Sequence, residues 1–139
     1  MKKAIPKHVV IIPDGNRRWA KAHGLVPIEG HKRGLDTALA VVKGSRDLGV
    51  KVLTLWGFST ENWDRKPPEV RYLMRIYAQF FRKYFGELLR EGVKFNWLGR
   101  RDRVPKMRKR VLERIEKKTA GTRKYILNIC IDYGGRDEL

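Results

Sequence analysis

The chain has 139 residues, is 42% hydrophobic and carries a formal net charge of +17, which is enough apolar material for one domain with a core but not for two. Its single cysteine excludes an internal disulfide framework, and no uncharged apolar run reaches the roughly 18 residues of a membrane span. The charge predicts an anionic partner: nucleic acid, an acidic membrane surface or a phosphorylated small molecule. Because the apolar region after Met1 is too short for a signal peptide, we expect a cytoplasmic protein.

Segments typical of strands and segments typical of helices alternate along the chain. The predicted strands cover residues 8–12, 50–58, 93–98 and 125–132. The predicted helices cover residues 34–48, 67–91 and a basic stretch after Pro105, in which Met107, Val111 and Ile115 are expected to face inward. Strands separated by helices of this length predict crossover connections and a largely parallel sheet flanked by helices. We therefore predict a single α/β domain over residues 1–139, with Cys130 as a buried thiol.

Polar segments follow each predicted strand, at residues 14–19, 59–65, 99–103 and 133–136. In parallel sheets, ligands bind beyond the carboxyl ends of the strands, so we expect these segments to form one site. The second segment, STENWDR, is also compatible with a turn that is capped by a hydroxyl group. Residues 65–69 (RKPPE) are cationic and contain two prolines, which is typical of a hinge that closes over a ligand.

The first polar segment, DGNRRW, combines one carboxylate with two guanidinium groups. One interpretation is that Asp14 or Asn16 caps a helix that begins at Arg17. The other is a phosphate site, since arginine forks and the N–H groups of a helix start bind anions, and Gly15 lets a ligand approach the backbone. The carboxylate then makes sense if Mg²⁺ lies between Asp14 and the phosphate. Both interpretations remain open from the residues alone.

Three further features each have two interpretations. His31 precedes a predicted helix. It is either a surface or capping residue, or it donates a hydrogen bond to a phosphate together with Lys32 and Arg33. The long helix carries aromatic residues on more than one stripe, for core packing or for a tunnel that holds a hydrocarbon chain. Residues 100–118 are rich in Lys and Arg. They form either a solvated helix face or a patch that binds a membrane surface or nucleic acid. They contain no aromatic residue that could stack on bases.

Four segments, HVVIIPDGNRRWAKAHG, EGHKRG, LTLWGFSTENWDR and ILNICIDYGGR, resemble the cis-prenyltransferases, the Z-type isoprenyl diphosphate synthases of the undecaprenyl diphosphate synthase family. The resemblance extends over nearly the whole chain. It implies parallel strands and helices around a hydrophobic tunnel, usually in a homodimer. It also implies condensation of isopentenyl diphosphate with an allylic prenyl diphosphate, in the presence of Mg²⁺, to give a cis-polyprenyl diphosphate.

The resemblance also implies roles for individual residues. Asp14 would hold Mg²⁺ and help the allylic diphosphate to leave, and Asn62 stands where the family has a proposed role in proton abstraction, although an amide is a poor base. Gly57 and Tyr125 are expected to face the tunnel. The implied substrate contacts are Gly15, Asn16, Arg17, Arg18, Trp19, His31, Phe58, Ser59, Thr60, Glu61, Trp63 and Arg65.

The chain departs from the family pattern in three respects. Arg17 replaces a glycine of the common bacterial form, and Pro27 stands where many members have a phosphate-binding arginine. The arginine-rich segment and the later glutamate that normally follow Tyr-Gly-Gly-Arg are not in the chain. Its sequence is therefore compatible with a piece of a normal enzyme, with one part of a heteromeric enzyme, or with a non-catalytic prenyl-diphosphate-binding subunit. Peripheral contact with a membrane is compatible with the charge, and we expect no binding to nucleic acid.

Overall fold

Four parallel strands form one sheet in the order β1-β2-β4-β3. The computed structural model describes residues 3–139, so the first two residues of the predicted domain lie outside the described part. The strands are β1 (His8–Ile11), β2 (Val52–Ser59), β3 (Val93–Leu98) and β4 (Tyr125–Tyr133). The helices are α1 (Asn16–Ala22), α2 (Pro27–Asp47), the short 3₁₀ helix Thr60–Asp64, α3 (Pro67–Arg90) and α4 (Lys106–Thr119). The predicted α/β class with a parallel sheet is confirmed.

The core lies around the two central strands, β2 and β4. Leu53, Phe58 and Ile131 are at most 1% exposed, and Cys130 is buried as predicted. β1 forms one edge of the sheet, and its Val10 side chain is 58% exposed. The burial of apolar surface in the centre of the sheet is what holds the carboxyl ends of β2 and β4 at fixed positions.

Helix α4 covers the other edge of the sheet. The hydroxyl oxygen of Thr119 accepts a hydrogen bond of 3.0 Å from the backbone N–H of Phe95, and a carboxylate oxygen of Glu116 accepts one of 3.0 Å from the N–H of Trp97. These bonds satisfy donors of β3 that would otherwise lie open at a sheet edge. The prediction that Met107 faces inward is wrong, because its side chain is 71% exposed. The buried side of α4 consists of Leu112, Ile115 and Thr119.

Helix α2 begins seven residues earlier than predicted, at Pro27 rather than Gly34. The two glycines of its first half are poor helix formers, but their lack of a side chain lets α2 pack against the start of α1. A Cβ atom at Gly30 would lie 2.1 Å from the backbone oxygen of Asn16, and one at Gly34 would lie 2.6 Å from the Asn16 side-chain nitrogen. The expectation that His31 precedes a helix is therefore wrong, since His31 lies within α2 and is buried.

Candidate functional site

An apolar cavity of about 410 Å³ lies between α2, α3 and the central strands β2 and β4. This volume is within the range of small-molecule sites. Gly57 lines the cavity, as expected. Tyr125 does not, because its side chain is buried elsewhere and its hydroxyl group bonds to Ser45 over 2.7 Å. The other apolar lining residues are Ile12, Pro13, Leu35, Ala38, Leu39, Val42, Leu55, Trp56, Tyr77, Phe80, Phe81, Leu127 and Ile129.

A β-bulge links this cavity to α3. The register between β2 and β4 shifts between Trp56 and Phe58, so Gly57 lies in the irregular stretch. The hydroxyl group of Tyr77 donates a hydrogen bond of 2.7 Å to the carbonyl oxygen of Gly57. Burial raises the pKa of Tyr77 to about 12, so this hydroxyl remains a donor at neutral pH. The bond fixes the aromatic wall of the cavity to the sheet.

A second cavity, of about 810 Å³, opens beside the first and is strongly cationic. Pro13, Asp14, Asn16, His31 and Arg65 line both cavities. Arg17, Arg18 and Lys21 line only the second one. An apolar cavity that shares a rim with a cationic cavity fits an amphiphile with an apolar tail and an anionic head.

Asp14 lies at the shared rim and is 84% exposed at its side chain. One carboxylate oxygen accepts the N–H of Gly15 over 2.6 Å, and the other accepts a bond of 3.1 Å from Arg18. Helix α1 begins at Asn16 rather than Arg17, and Gly15, with a φ of 93°, occupies its N-cap without a side-chain capping bond. The capping interpretation of Asp14 and Asn16 is therefore not observed. The carboxylate of Asp14 instead faces the cationic cavity.

Glu69 joins three cationic or titratable side chains behind this rim. Its Oε1 atom lies 3.1 Å from Nε2 of His31, 3.2 Å from a guanidinium nitrogen of Arg65 and 4.0 Å from Nε of Arg17. Burial acts to raise the pKa of Glu69, but the His31 hydrogen bond and the charges of Arg17 and Arg65 outweigh it, so the pKa lies below its usual value. Glu69 is therefore ionised and accepts a hydrogen bond from Nε2 of His31.

The environment of His31 keeps its ring neutral. Burial lowers the pKa of His31, and the neighbouring Glu69, which acts to raise it, does not compensate. Because the proton on Nε2 is donated to Glu69, the Nδ1 atom of the neutral ring carries no proton. Donation from His31 to a phosphate thus remains a prediction, and it requires protonation of the ring or exchange of the bond to Glu69.

The functional importance of Glu69 was not predicted from the sequence. Glu69 was only the last residue of the proposed hinge 65–69, although two local signals mark it: its spacing of four residues from Arg65 and its place in the first turn of α3. Its contact with His31 spans 38 residues of sequence. No local pattern indicates such a contact.

Some residues of the 59–65 segment line the apolar cavity, and others lie outside both cavities. Ser59, Asn62 and Arg65 line the apolar cavity, and the side-chain oxygen of Asn62 accepts the N–H of Ser59 over 3.1 Å, in a capping arrangement that partly matches the turn interpretation. A hydrogen bond from its own backbone N–H, and then one with the Ser59 hydroxyl, lowers the pKa of Glu61. The predicted contacts that line neither cavity are Trp19, Phe58, Thr60, Glu61 and Trp63.

The third polar segment meets the second one and the end of β4 in a separate cluster. Nε of Arg103 donates a bond of 3.0 Å to the fully buried carboxylate of Asp132, and the Arg103 guanidinium lies 5.3 Å from the ring centre of Trp63. The Trp63 ring also packs edge-on against Phe58. Phe58 is fully buried, so in this structure it supports Trp63 and does not face either cavity. The second and third polar segments thus meet at the carboxyl end of β4, whereas a single site formed by all four segments remains a prediction.

The family model and the curated relatives that match this chain are all prenyltransferases. The Prenyltransf family model, of the undecaprenyl diphosphate synthase family, matches residues 12–139. An isoprenyl transferase of Listeria innocua is 43% identical over 135 residues, which are 97% of this chain and 54% of that protein. One of Bacillus anthracis is 41% identical over 138 residues, with 99% and 54% coverage. The chain spans about half the length of the curated relatives it matches.

Two solved structures with the same fold are described as prenyl diphosphate synthases. Lavandulyl diphosphate synthase from Lavandula x intermedia, solved with dimethylallyl diphosphate, superposes with a TM-score of 0.92 at 33% identity, covering 96% of this chain and 57% of the other. A protein from Campylobacter jejuni, described as a probable undecaprenyl diphosphate synthase, superposes with a TM-score of 0.78 at 23% identity and supports the fold alone, with 98% and 58% coverage. Among residues 3–139, no helix is both long and apolar enough to cross a membrane. The chain belongs to the undecaprenyl diphosphate synthase family of prenyltransferases.

Proposed function

We propose that this chain holds the allylic substrate in a cis-prenyltransferase, which condenses isopentenyl diphosphate with an allylic prenyl diphosphate to form a cis-polyprenyl diphosphate. The observation that carries the proposal is the shared rim of the two cavities, where Asp14, His31 and Arg65 separate a cationic space from an apolar one. The diphosphate head would occupy the cationic cavity. The prenyl tail would occupy the apolar cavity, where each buried CH₂ group contributes about 0.8 kcal/mol.

The cationic side chains match the charge that develops during the reaction. When the bond between the allylic carbon and the diphosphate oxygen breaks, its electron pair stays on the diphosphate, and the allylic fragment becomes a cation. Arg17, Arg18 and Lys21 line the cavity in which that negative charge would grow, and fixed cations stabilise such a transition state. The double bond of isopentenyl diphosphate then attacks the cation, and loss of a proton restores a neutral chain. The apolar cavity walls would keep water away from the cation.

Asn62 is proposed to orient a ligand rather than to take a proton itself. Its side-chain oxygen already accepts the N–H of Ser59, whereas its NH₂ group is a donor. An amide has no basic site at neutral pH. We therefore assign Asn62 the role of holding a diphosphate oxygen or a water at the cavity mouth, and the diphosphate is the proposed acceptor of the proton.

The residues at the rim fit Mg²⁺ only if the substrate completes its coordination. Among residues 3–139, no group of three His, Cys, Asp or Glu side chains could hold a metal ion by itself. Mg²⁺ commonly binds through one or two carboxylates together with substrate phosphate oxygens and waters, and Asp14 offers one exposed carboxylate at the edge of the cationic cavity. When bound, Mg²⁺ would neutralise charge on the departing diphosphate.

The test is incorporation of radiolabelled isopentenyl diphosphate into butanol-soluble product, with farnesyl diphosphate and Mg²⁺ present. Asp14→Asn should lower turnover about 100-fold or more, because it removes the proposed metal ligand. Asp36→Asn is the matched control, since Asp36 is an exposed carboxylate on α2 that lines neither cavity. Equal turnover of the Asp14 and Asp36 variants would contradict the proposal.

A non-catalytic subunit is the second candidate function. It rests on the two cavities that share a rim, since such a site would hold a prenyl diphosphate whether or not turnover follows. This alternative expects farnesyl diphosphate to bind, as measured by equilibrium dialysis, but no product to form until a partner is added. The same experiment distinguishes a homodimer from a heteromer, because only the heteromer needs a different chain before product forms.

A further inference from the structure

Helix α4 presents an exposed cationic face on the side opposite its buried residues. The cationic face consists of Lys106, Arg110, Arg114, Lys117 and Lys118. These positions recur at intervals of three or four residues, so their side chains lie on one side of the helix. From the first to the last, they extend over roughly 18 Å along the axis, at about 1.5 Å per residue.

No carboxylate balances this face. Within residues 3–139, none of the five cations forms an ion pair. The two acidic residues of α4, Glu113 and Glu116, both bond to Arg101, at 3.4 and 2.8 Å. Glu116 also accepts the N–H of Trp97 in β3. The acids of α4 thus serve the sheet edge, and its cations face solvent.

One apolar side chain lies within the cationic face. Met107 is 71% exposed, and it lies between Lys106 and Arg110 in the first turn of α4. Each cation near an anionic bilayer surface contributes about 1 kcal/mol, and an exposed apolar side chain among the cations can add buried apolar area. The residues of α4 include no aromatic side chain for stacking on bases.

We infer that the cationic face of α4 docks this protein onto an anionic lipid bilayer. The five cations would lie at the headgroups, and the Met107 side chain would reach the boundary of the acyl chains. The choice of a bilayer over nucleic acid also draws on the proposed prenyl-lipid product, whereas the charge pattern is independent of it. Docking at the bilayer would place the protein where a polyprenyl product dissolves.

The test is flotation of the purified protein with vesicles of phosphatidylcholine and phosphatidylglycerol, without substrate, at about 0.1 M salt, where the screening length is roughly 10 Å. The variant Arg110→Gln/Arg114→Gln/Lys117→Gln should lower the ratio of bound to free protein by about tenfold or more, because each cation near an anionic surface contributes roughly a factor of five. Vesicles of phosphatidylcholine alone should bind little of either protein.

The matched control removes the same charge from another part of the surface. Lys7, Lys51 and Lys124 are exposed and lie just before β1, β2 and β4, so Lys7→Gln/Lys51→Gln/Lys124→Gln should change the ratio by less than about twofold. All six side chains lie at the surface, and thermal unfolding should confirm that both variants remain folded.

Equal losses of vesicle binding in the two variants, or strong binding to neutral vesicles, would overturn the inference. So would duplex DNA that displaces the protein from the vesicles. Because no turnover is measured, failure here would not bear on the prenyltransferase proposal.

Discussion

The Nε2 atom of His31 lies 3.1 Å from Oε1 of Glu69, and the same oxygen lies 3.2 Å from the guanidinium group of Arg65. One ionised carboxylate therefore connects α2, α3 and the end of the 59–65 segment directly behind the shared rim of the two cavities. Because Glu69 is only 15% exposed at its side chain, its interactions are weakly screened by water. This contact opposes the lowering of the His31 pKa by burial, and it holds the guanidinium group of Arg65 beside His31.

Replacement of Glu69 by Gln should lower the pKa of His31 further. In the wild type, burial lowers this pKa, and Glu69 opposes burial through its hydrogen bond and its charge. Glu69→Gln removes the charge and leaves burial and the two arginines. The measurement is an NMR titration of the His31 ring protons. Glu29→Gln is the control, since Glu29 pairs with Lys32 on the same helix. A His31 pKa that stays unchanged in Glu69→Gln would show that the contact is absent in solution.

Stability should fall as the pH is lowered through the range below 6.5. The pKa of His31 in the folded protein lies below its ordinary value of 6.5, so the unfolded chain takes up this proton first. Between the two pKa values the unfolded state binds more protons, and the free energy of unfolding therefore increases with pH. Urea unfolding at pH 7 and pH 5.5 measures the difference, and His31→Asn should reduce it. An equal pH dependence in wild type and variant would contradict the assignment to His31.

Gly30→Ala should destabilise the protein by about 1–3 kcal/mol, the usual cost of overpacking. The new Cβ atom would lie 2.1 Å from the backbone oxygen of Asn16, so α2 and α1 must separate. Gly44→Ala on the same helix is the control: no atom lies within 4 Å of its Cβ position, and the change should be neutral or should stabilise by up to about 1 kcal/mol. Urea unfolding compares the two. Similar free energies of unfolding for both variants would refute the close packing of α1 and α2.

Tyr77→Phe should destabilise the protein by about 1–3 kcal/mol, because it leaves the carbonyl of Gly57 without the hydroxyl that now donates to it. Tyr84→Phe on the same helix is the matched control, with an expected effect below about 0.5 kcal/mol. If the bond also fixes the cavity wall, farnesyl diphosphate should bind less tightly to Tyr77→Phe than to Tyr84→Phe. Unchanged stability and affinity in Tyr77→Phe would count against this role for the bulge.

The sequence predicted the sheet well because buried strands leave a local signal. β3 has the predicted bounds 93–98, and β4 extends only one residue beyond its prediction, since both are short apolar runs between turn residues. The start of α2 was missed because Gly30 and Gly34 lower helix propensity, while their value lies in a contact with α1 that no local pattern reveals. Met107 was misplaced because one apolar residue in a basic helix does not define its inner face.

Many of the residues that line the two cavities were predicted from the sequence, but the side-chain contacts between distant residues were not. The resemblance to the cis-prenyltransferases implied roles for Asp14, Arg17, Arg18, His31, Ser59, Asn62 and Arg65, and all of them line one or both cavities. The role of Glu69 and the bond from Tyr77 to the bulge depend on side chains that are distant in sequence. Phe58 and Trp63 lie in the neighbouring cluster around Arg103, so their proposed substrate contacts remain predictions.

The central claim is that one amphiphile spans both cavities, with its diphosphate beside Asp14. The most direct measurement is a crystal structure with Mg²⁺ and the thiolo analogue of farnesyl diphosphate, in which sulfur replaces the bridging oxygen and slows ionisation. We expect the diphosphate between Arg17 and Arg18, the metal on the carboxylate of Asp14, and the farnesyl chain against Tyr77 and Phe80. A diphosphate bound outside the cationic cavity, with Asp14 still paired to Arg18, would contradict the account.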